Sequence, residues 1–168
     1  MQWTTALLVA LALVGAATAI GLALRARSGR IVRTAGGRAD ASVSAVSAQS
    51  TDATDAGLAS AAATLRLDAD AFGADATLVQ FSTAFCSRCP GTARQLGALA
   101  ADSPGVRHVE IDLTDDPELA ARHSVLQTPT TLVIDGAGRT VARIGGPPRM
   151  TELAELVDSL TRRTRATI

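Results

Sequence analysis

The sequence predicts an α/β fold, a mixed central sheet with helices on both faces, preceded by one N-terminal transmembrane helix and a flexible tether. Three observations carry this. An uncharged apolar run, Trp3–Leu24, opens the 168-residue chain. From about residue 63 onward, short apolar runs suited to strands alternate with helical patterns. The chain has only two cysteines, Cys86 and Cys89, and they sit between one such run and the helical pattern after it.

The N-terminal run is longer than the roughly 20 residues a helix needs to cross the hydrocarbon core. Gly15 and Gly21 are tolerated in such helices, and Trp3 stands where an interfacial aromatic would. A cleaved signal peptide fits less well. It wants a positive n-region and an apolar stretch of about 7–15 residues. Here no Lys or Arg precedes the run, and more apolar sequence follows the small residues Ala17-Thr18-Ala19. Arg25, Arg27, Arg30, Arg33 and Arg38 all lie on the C-terminal side. Positive flanks stay in the cytoplasm. The expectation is a single-pass protein of the cell membrane, anchored in lipid through residues 3–24, with its C-terminal part at the cytoplasmic face. The alternative is an extracytoplasmic domain.

Residues 25–62 read as the Arg-rich flank and an Ala/Ser/Thr/Asp-rich tether, with too few large apolar residues to offset ordering entropy. Weak helix is allowed at its Ala-rich end. A folded domain is expected over 63–163, followed by a tail, 164–168. Thr64 to Leu67 suits a short edge strand. Asp68 can cap a brief helical turn through Ala74. Thr77 to Ser82 is a near-continuous apolar run, fit for a buried central strand. Ser87 to Ala101 reads as a helix with Leu96, Leu99 and Ala100 inward, and Pro90 falls in its first turn, where a missing N–H costs little. Val106 to Asp112 is the next strand. Asp116-Pro117-Glu118 opens a short helix. Thr130 to Ile134 and Thr140 to Ile144 are strands joined by Asp135-Gly136-Ala137-Gly138, a hairpin signal. Thr151 caps a last helix with Leu153, Leu156, Val157 and Leu160 on one face.

Composition excludes several classes. Formal net charge is zero, so no basic field suggests nucleic acid. Two cysteines are too few for a small disulfide-stapled scaffold. The aromatics are only Trp3, Phe72, Phe81 and Phe85, so the core must be aliphatic. All basic residues are Arg, which together with the Ala content reads as coding bias rather than chemistry.

The chemistry centres on Phe85-Cys86-Ser87-Arg88-Cys89-Pro90. A C-x-x-C between strand and helix is the arrangement of a reversible dithiol/disulfide. A first cysteine at a helix N-terminus meets unpaired N–H groups and the positive end of the helix dipole, which favour its thiolate. The second, one turn on, can attack a mixed disulfide and release the product. Two other readings fit less well. Zinc needs further ligands, and His108 and His123 lack the short spacing that completes a Cys-Cys-His-His site. A purely structural bridge over so short a loop removes little unfolded-chain entropy.

Over roughly Asp68 to Leu160 the sequence resembles the thioredoxin family. The resemblance rests on Leu78-Val79-Gln80-Phe81, the Cys86–Pro90 segment, Val109-Glu110-Ile111-Asp112, Val125-Leu126-Gln127-Thr128-Pro129-Thr130 and Gly145-Gly146, in that order. With the anchor and tether, the whole resembles small membrane-tethered thioredoxin-like proteins of actinobacteria. The resemblance implies a thioredoxin-like fold and a thiol–disulfide oxidoreductase that acts on protein disulfides, here as a reductase. It implies Cys86 as nucleophile and Cys89 as resolving thiol, with the pair as the redox centre and no separate cofactor or metal. It implies a cis Pro129 beside the pair, with the Thr128 backbone free to meet a substrate strand, and Phe85, Ser87 and Arg88 as supporting residues. It implies an NADPH-dependent thioredoxin reductase as the electron source. Service in oxidative folding or cytochrome maturation outside the membrane, or a non-catalytic binding module, are the rival functions. The sequence departs from the family at Phe85, where Trp is usual, at Ser87-Arg88, often Gly-Pro, and at Gln80, where many members bury an Asp that assists the resolving thiol. His108 aligns roughly where some members carry a basic partner for that Asp. Arg88, in the loop between the thiols, is expected to favour the Cys86 thiolate through a short, partly desolvated distance.

Overall fold

The computed structural model describes residues 2–27, 29, 31–33 and 50–167. Strand β2 (Ala76–Ser82) is buried along its whole length. It pairs in parallel with β3 (Val106–Asp112) and antiparallel with β4 (Thr130–Asp135). A hairpin joins β4 to β5 (Thr140–Gly145). Its turn is held by Asp135, whose Oδ1 accepts from the Ala137 and Arg139 amides at 3.0 Å each. A short strand, β1 (Ile31–Arg33), adds antiparallel to β5, so the sheet order is β1-β5-β4-β2-β3.

Alternation along the strands divides the core. On one face Leu78, Val133, Ala142 and Ile144 pack with Leu96 of α3 (Cys89–Ala101) and with Leu153, Leu156, Val157 and Leu160 of α5 (Met150–Thr167). On the other, Val79, Phe81, Leu132 and Ile134 pack with Leu119 of α4 (Pro117–Arg122) and with Ala61, Ala62 and Leu65 of α2 (Ser50–Leu65). The Asp116 side chain caps α4 by accepting from the Leu119 amide at 2.9 Å. The mixed sheet with helices on both faces is therefore as expected.

Four expectations need correction. Thr64 and Leu65 end a helix rather than open an edge strand, because Leu58, Ala61, Ala62 and Leu65 recur at helical spacing and bury one face against the sheet. That helix and β1 occupy parts of the segment read as tether; residues 34–49 of it lie outside the described residues. The tail is helical through Thr167, as the last turns of α5. The helix after β2 begins at Cys89, because Ser87 and Arg88 form a turn before it.

The first helix, α1, runs Gln2–Arg27. Its described apolar side chains point outward, with Leu7, Leu11, Val14, Ile20 and Leu22 each more than 60% exposed. Among the described residues no helix is long and apolar enough to cross a membrane.

Candidate functional site

The site forms where β2 ends. After Ser82 the chain turns through Thr83, Ala84 and Phe85 and reaches Cys86, whose amide donates to the Thr83 carbonyl at 3.0 Å. The Ala84 amide donates to Thr114 Oγ1 at 2.8 Å. Thr114 is held in turn by Asp112 Oδ1, which accepts from its amide and its hydroxyl. The Thr114 hydroxyl, then its amide, keep the Asp112 carboxyl below its ordinary range. The end of β3 thus fixes the loop that carries Phe85.

Cys86 and Cys89 are joined by a disulfide, with their Cα atoms 5.4 Å apart. The two sulfurs belong to unequal residues. Cys86 is half-buried, whereas Cys89 is only 2% exposed. The Cys89 amide donates to the Cys86 carbonyl at 3.1 Å, which seats Cys86 against the first turn of α3. Pro90 follows within that turn. Ser87 and Arg88 are both exposed, so the Arg88 charge stands in water rather than in the partly desolvated setting expected of it.

At the same end of the sheet, just before β4, which pairs with β2, the Thr128–Pro129 bond is cis. Pro129 is buried, and its carbonyl accepts from the Gly146 amide at 2.8 Å. Thr128 Oγ1 and Thr83 Oγ1 share a hydrogen bond of 3.3 Å across the gap between the two loops. The structure therefore brings together all seven residues singled out from the sequence: Phe85, Cys86, Ser87, Arg88 and Cys89 on one loop, Thr128 and Pro129 on the other.

It adds Leu126 and Glu110 to the residues singled out from the sequence. Phe85 is 91% exposed and Leu126, just before Thr128, is 94% exposed. They present large apolar groups on the two loops that meet at the disulfide. Behind Cys89, Gln80 is fully buried. Its Nε2 donates to the Cys89 carbonyl at 3.1 Å and to Glu110 Oε1 at 3.3 Å. Both partners are acceptors, which fixes the amide orientation and leaves Oε1 buried without a partner. Next along β3, His108 has a buried, unpartnered Nε2. Burial pushes its imidazole below the usual range, and the Glu110 carboxylate pulls the other way.

The thioredoxin family model matches residues 68–159, more than half of the chain. The chain belongs to the thioredoxin family. The matched part holds the disulfide, Gln80, Pro129 and all of the sheet except β1. A thioredoxin from Staphylococcus aureus is 33% identical over 82 residues, 48% of this chain and 78% of that protein. The X-ray structure of Fasciola hepatica thioredoxin is 30% identical, with a TM-score of 0.45 over 52% of this chain and 83% of that one. Mitochondrial thioredoxin 3 from Saccharomyces cerevisiae, solved in its oxidized form, is 26% identical, with a TM-score of 0.45 over 51% and 79%. The thioredoxin domain, with its close cysteine pair, is a thiol–disulfide oxidoreductase, and its family acts generally on protein disulfides.

Proposed function

We propose that this thioredoxin is a membrane-anchored protein-disulfide reductase whose domain stands at the cytoplasmic face. The observation that carries the redox part is the inequality of the pair. A half-buried Cys86 can be reached by a macromolecular disulfide, while Cys89 is sealed behind it. In the dithiol form the Cys86 thiolate attacks one substrate sulfur. A Cys86–substrate disulfide forms, and the other substrate sulfur leaves as a thiolate and takes a proton. The Cys89 thiolate then attacks Cys86 Sγ. The mixed disulfide breaks, the second substrate thiol departs, and the Cys86–Cys89 disulfide remains. Two electrons have passed to the substrate, and the couple is the cysteine pair itself. An NADPH-dependent thioredoxin reductase would return two electrons and two protons. Phe85, Leu126 and the Thr128 backbone would receive the substrate chain.

The anchor rests on the uncharged run Trp3–Leu24 within a single helix, and on apolar side chains exposed at Trp3 and over residues 7–22. A helix apolar on every side suits lipid. Within it, the Thr18 hydroxyl donates to the Val14 carbonyl at 2.8 Å and so needs no outside partner. Orientation rests on the five arginines after the run.

The redox reading is tested with the full chain in detergent, away from any bilayer, and dithiothreitol-driven reduction of insulin disulfides. Cys86→Ser is expected to abolish turnover, and Cys89→Ser to accumulate a Cys86–substrate disulfide visible on a non-reducing gel. Trapping by Cys86→Ser instead would reverse the two roles. A phosphatase active only after export, fused after Ile168, is expected to be silent. Strong activity would place the domain outside.

A further inference from the structure

The way β1 joins the sheet decides which end of the domain lies next to α1. Phe81 pairs with Thr130, and Thr130 with Gly145, so the redox end of the sheet is the end where β2 finishes and β5 finishes. Strand β1 runs antiparallel to β5, with Ile31 opposite Ile144 and Arg33 opposite Ala142. The chain therefore enters the sheet at the redox end and runs away from it. Gly29, two residues beyond the end of α1, donates its amide to the Gly145 carbonyl at 2.8 Å. Glycine is required there. Its φ is +77°, and a Cβ would lie 2.4 Å from the Pro147 carbonyl oxygen.

A line of contacts leads from that point to the disulfide. Gly29 bonds Gly145. The Gly146 amide donates to the Pro129 carbonyl at 2.8 Å. Thr128 shares a hydrogen bond with Thr83, and the Thr83 carbonyl accepts from the Cys86 amide. Sideways the distance is modest. Three strand steps separate β1 from β2, about 14 Å at ~4.8 Å per step. Along the strands the far end of the domain is distant, since β5 alone spans about 20 Å.

We propose that the disulfide faces the membrane surface, and that its substrate is a cysteine pair held at the bilayer surface by a membrane-embedded protein. This rests on the anchoring reading above. Given the anchor, the height follows from reach. Two residues extend at most about 7 Å, so Gly29 stands within that distance of the end of α1. The headgroup layer on each side is about 5–8 Å thick. The first sheet bond is thus made at or just above the headgroups, and Cys86 lies at a similar height, beside it. The exposed Phe85 and Leu126 share this end of the domain. A soluble globular partner would have to enter the gap between domain and lipid. A disulfide at the edge of a membrane span already lies there.

The test uses the full chain in vesicles of phosphatidylcholine and phosphatidylglycerol with nitroxide on some headgroups. In Cys89→Ser a fluorophore is placed on Cys86. In Cys86→Ser/Cys89→Ser/Asp102→Cys it is placed at position 102, the other end of α3, about 20 Å away along the helix. Headgroup nitroxide is expected to quench the Cys86 probe several-fold more than the other. Gly29→Val, which breaks the β1 attachment, is expected to bring the two toward equality. Equal quenching in the otherwise unaltered chain, or stronger quenching at 102, overturns the proposal while leaving the anchor standing. Failure of the chain to float with the vesicles overturns both, and identifies the anchor as the fault. A substrate arm compares two single-span peptides carrying a disulfide, one just outside the apolar segment and one raised on a helical spacer of about 20 residues, roughly 30 Å. The near disulfide is expected to be reduced about tenfold faster. Equal rates, or equal reduction of a soluble disulfide peptide, would mean that the site is open to soluble partners, and would overturn the proposal.

Discussion

Replacing Gln80 by Asp tests the surroundings of the resolving cysteine. Gln80 is fully buried, and its amide nitrogen is the donor that both of its partners need. An aspartate would put an acceptor where the Cys89 carbonyl and the Glu110 carboxylate already offer acceptors. Once protonated it has a single O–H in place of two N–H donors, so one or both hydrogen bonds are lost, at about 1 kcal/mol each, the Glu110 bond being at the weak end because that residue is exposed. The new carboxyl would be desolvated and close to Glu110, so it stays protonated in the folded state. Holding it neutral at pH 7 against an ordinary value near 3.9 costs about 4 kcal/mol. The expected penalty is therefore about 4–6 kcal/mol at pH 7, comparable to the whole stability of a marginal domain. The sign with pH follows. The folded-state pKa is raised, so the unfolded state releases the proton first. Stability lost to the substitution grows as pH rises above about 4, and most of it returns at pH 4. The assay is urea unfolding of the full chain followed by far-ultraviolet circular dichroism, because the domain has neither Trp nor Tyr to report by fluorescence. The double variant Gln80→Asp/Glu110→Gln is expected to recover part of the loss, because position 110 then offers a donor. A penalty that does not change between pH 4 and pH 7.5, with no recovery in the double variant, would refute the placement of Gln80 between two acceptors.

Leu65→Ala removes a side chain buried between α2 and the sheet, and is expected to cost about 2–4 kcal/mol in the same unfolding assay; a cost below 1 kcal/mol would mean that α2 is not part of the domain. His108 gives a pH dependence of its own. Burial lowers its imidazole's affinity for a proton in the folded state, the Glu110 carboxylate opposing, while the unfolded chain takes one up near 6.5, so stability should fall as pH drops below that value. His108→Gln is expected to remove that part of the slope, which unfolding midpoints between pH 7.5 and 5 will measure. Arg88→Gly is expected to move the reduction potential by less than about 15 mV, because the charge is exposed and water screens it; a glutathione redox titration that found a shift of about 60 mV would place the guanidinium against the sulfur.

Much of the fold was legible because its signals are local. The apolar run of β2, the Asp135-Gly136-Ala137-Gly138 turn and the Asp116-Pro117-Glu118 helix start each declare themselves within a few residues. The cysteine spacing and the proline after Thr128 did the same for the site. Helix α2 was hidden by composition. Its inward positions include Ala61 and Ala62, which are small enough to read as linker and yet bury fully on the helical face that Leu58 and Leu65 define. Strand β1 could not be seen from its three residues, since its partner Ile144 lies far along the chain. The contacts that hold the Phe85 loop are non-local for the same reason: Ala84 meets Thr114. The role expected of Arg88 depended on desolvation, which spacing does not encode. The inward partners of Gln80 became visible only when Glu110 fell opposite it in the β2–β3 register.

Strand β1 also closes an edge. Without it, β5 would present unpaired N–H and C=O groups along the side of the sheet where Ala142, Arg143 and Ile144 now meet β1. A version of the protein shortened to begin at Ser50 would lose that cover and acquire a sticky margin. Such a fragment is prone to pair with the margin of another copy, strand to strand. Strand β1 thus acts as a guard against self-association, and a truncated preparation should be checked for dimers before its kinetics are compared with those of the whole chain.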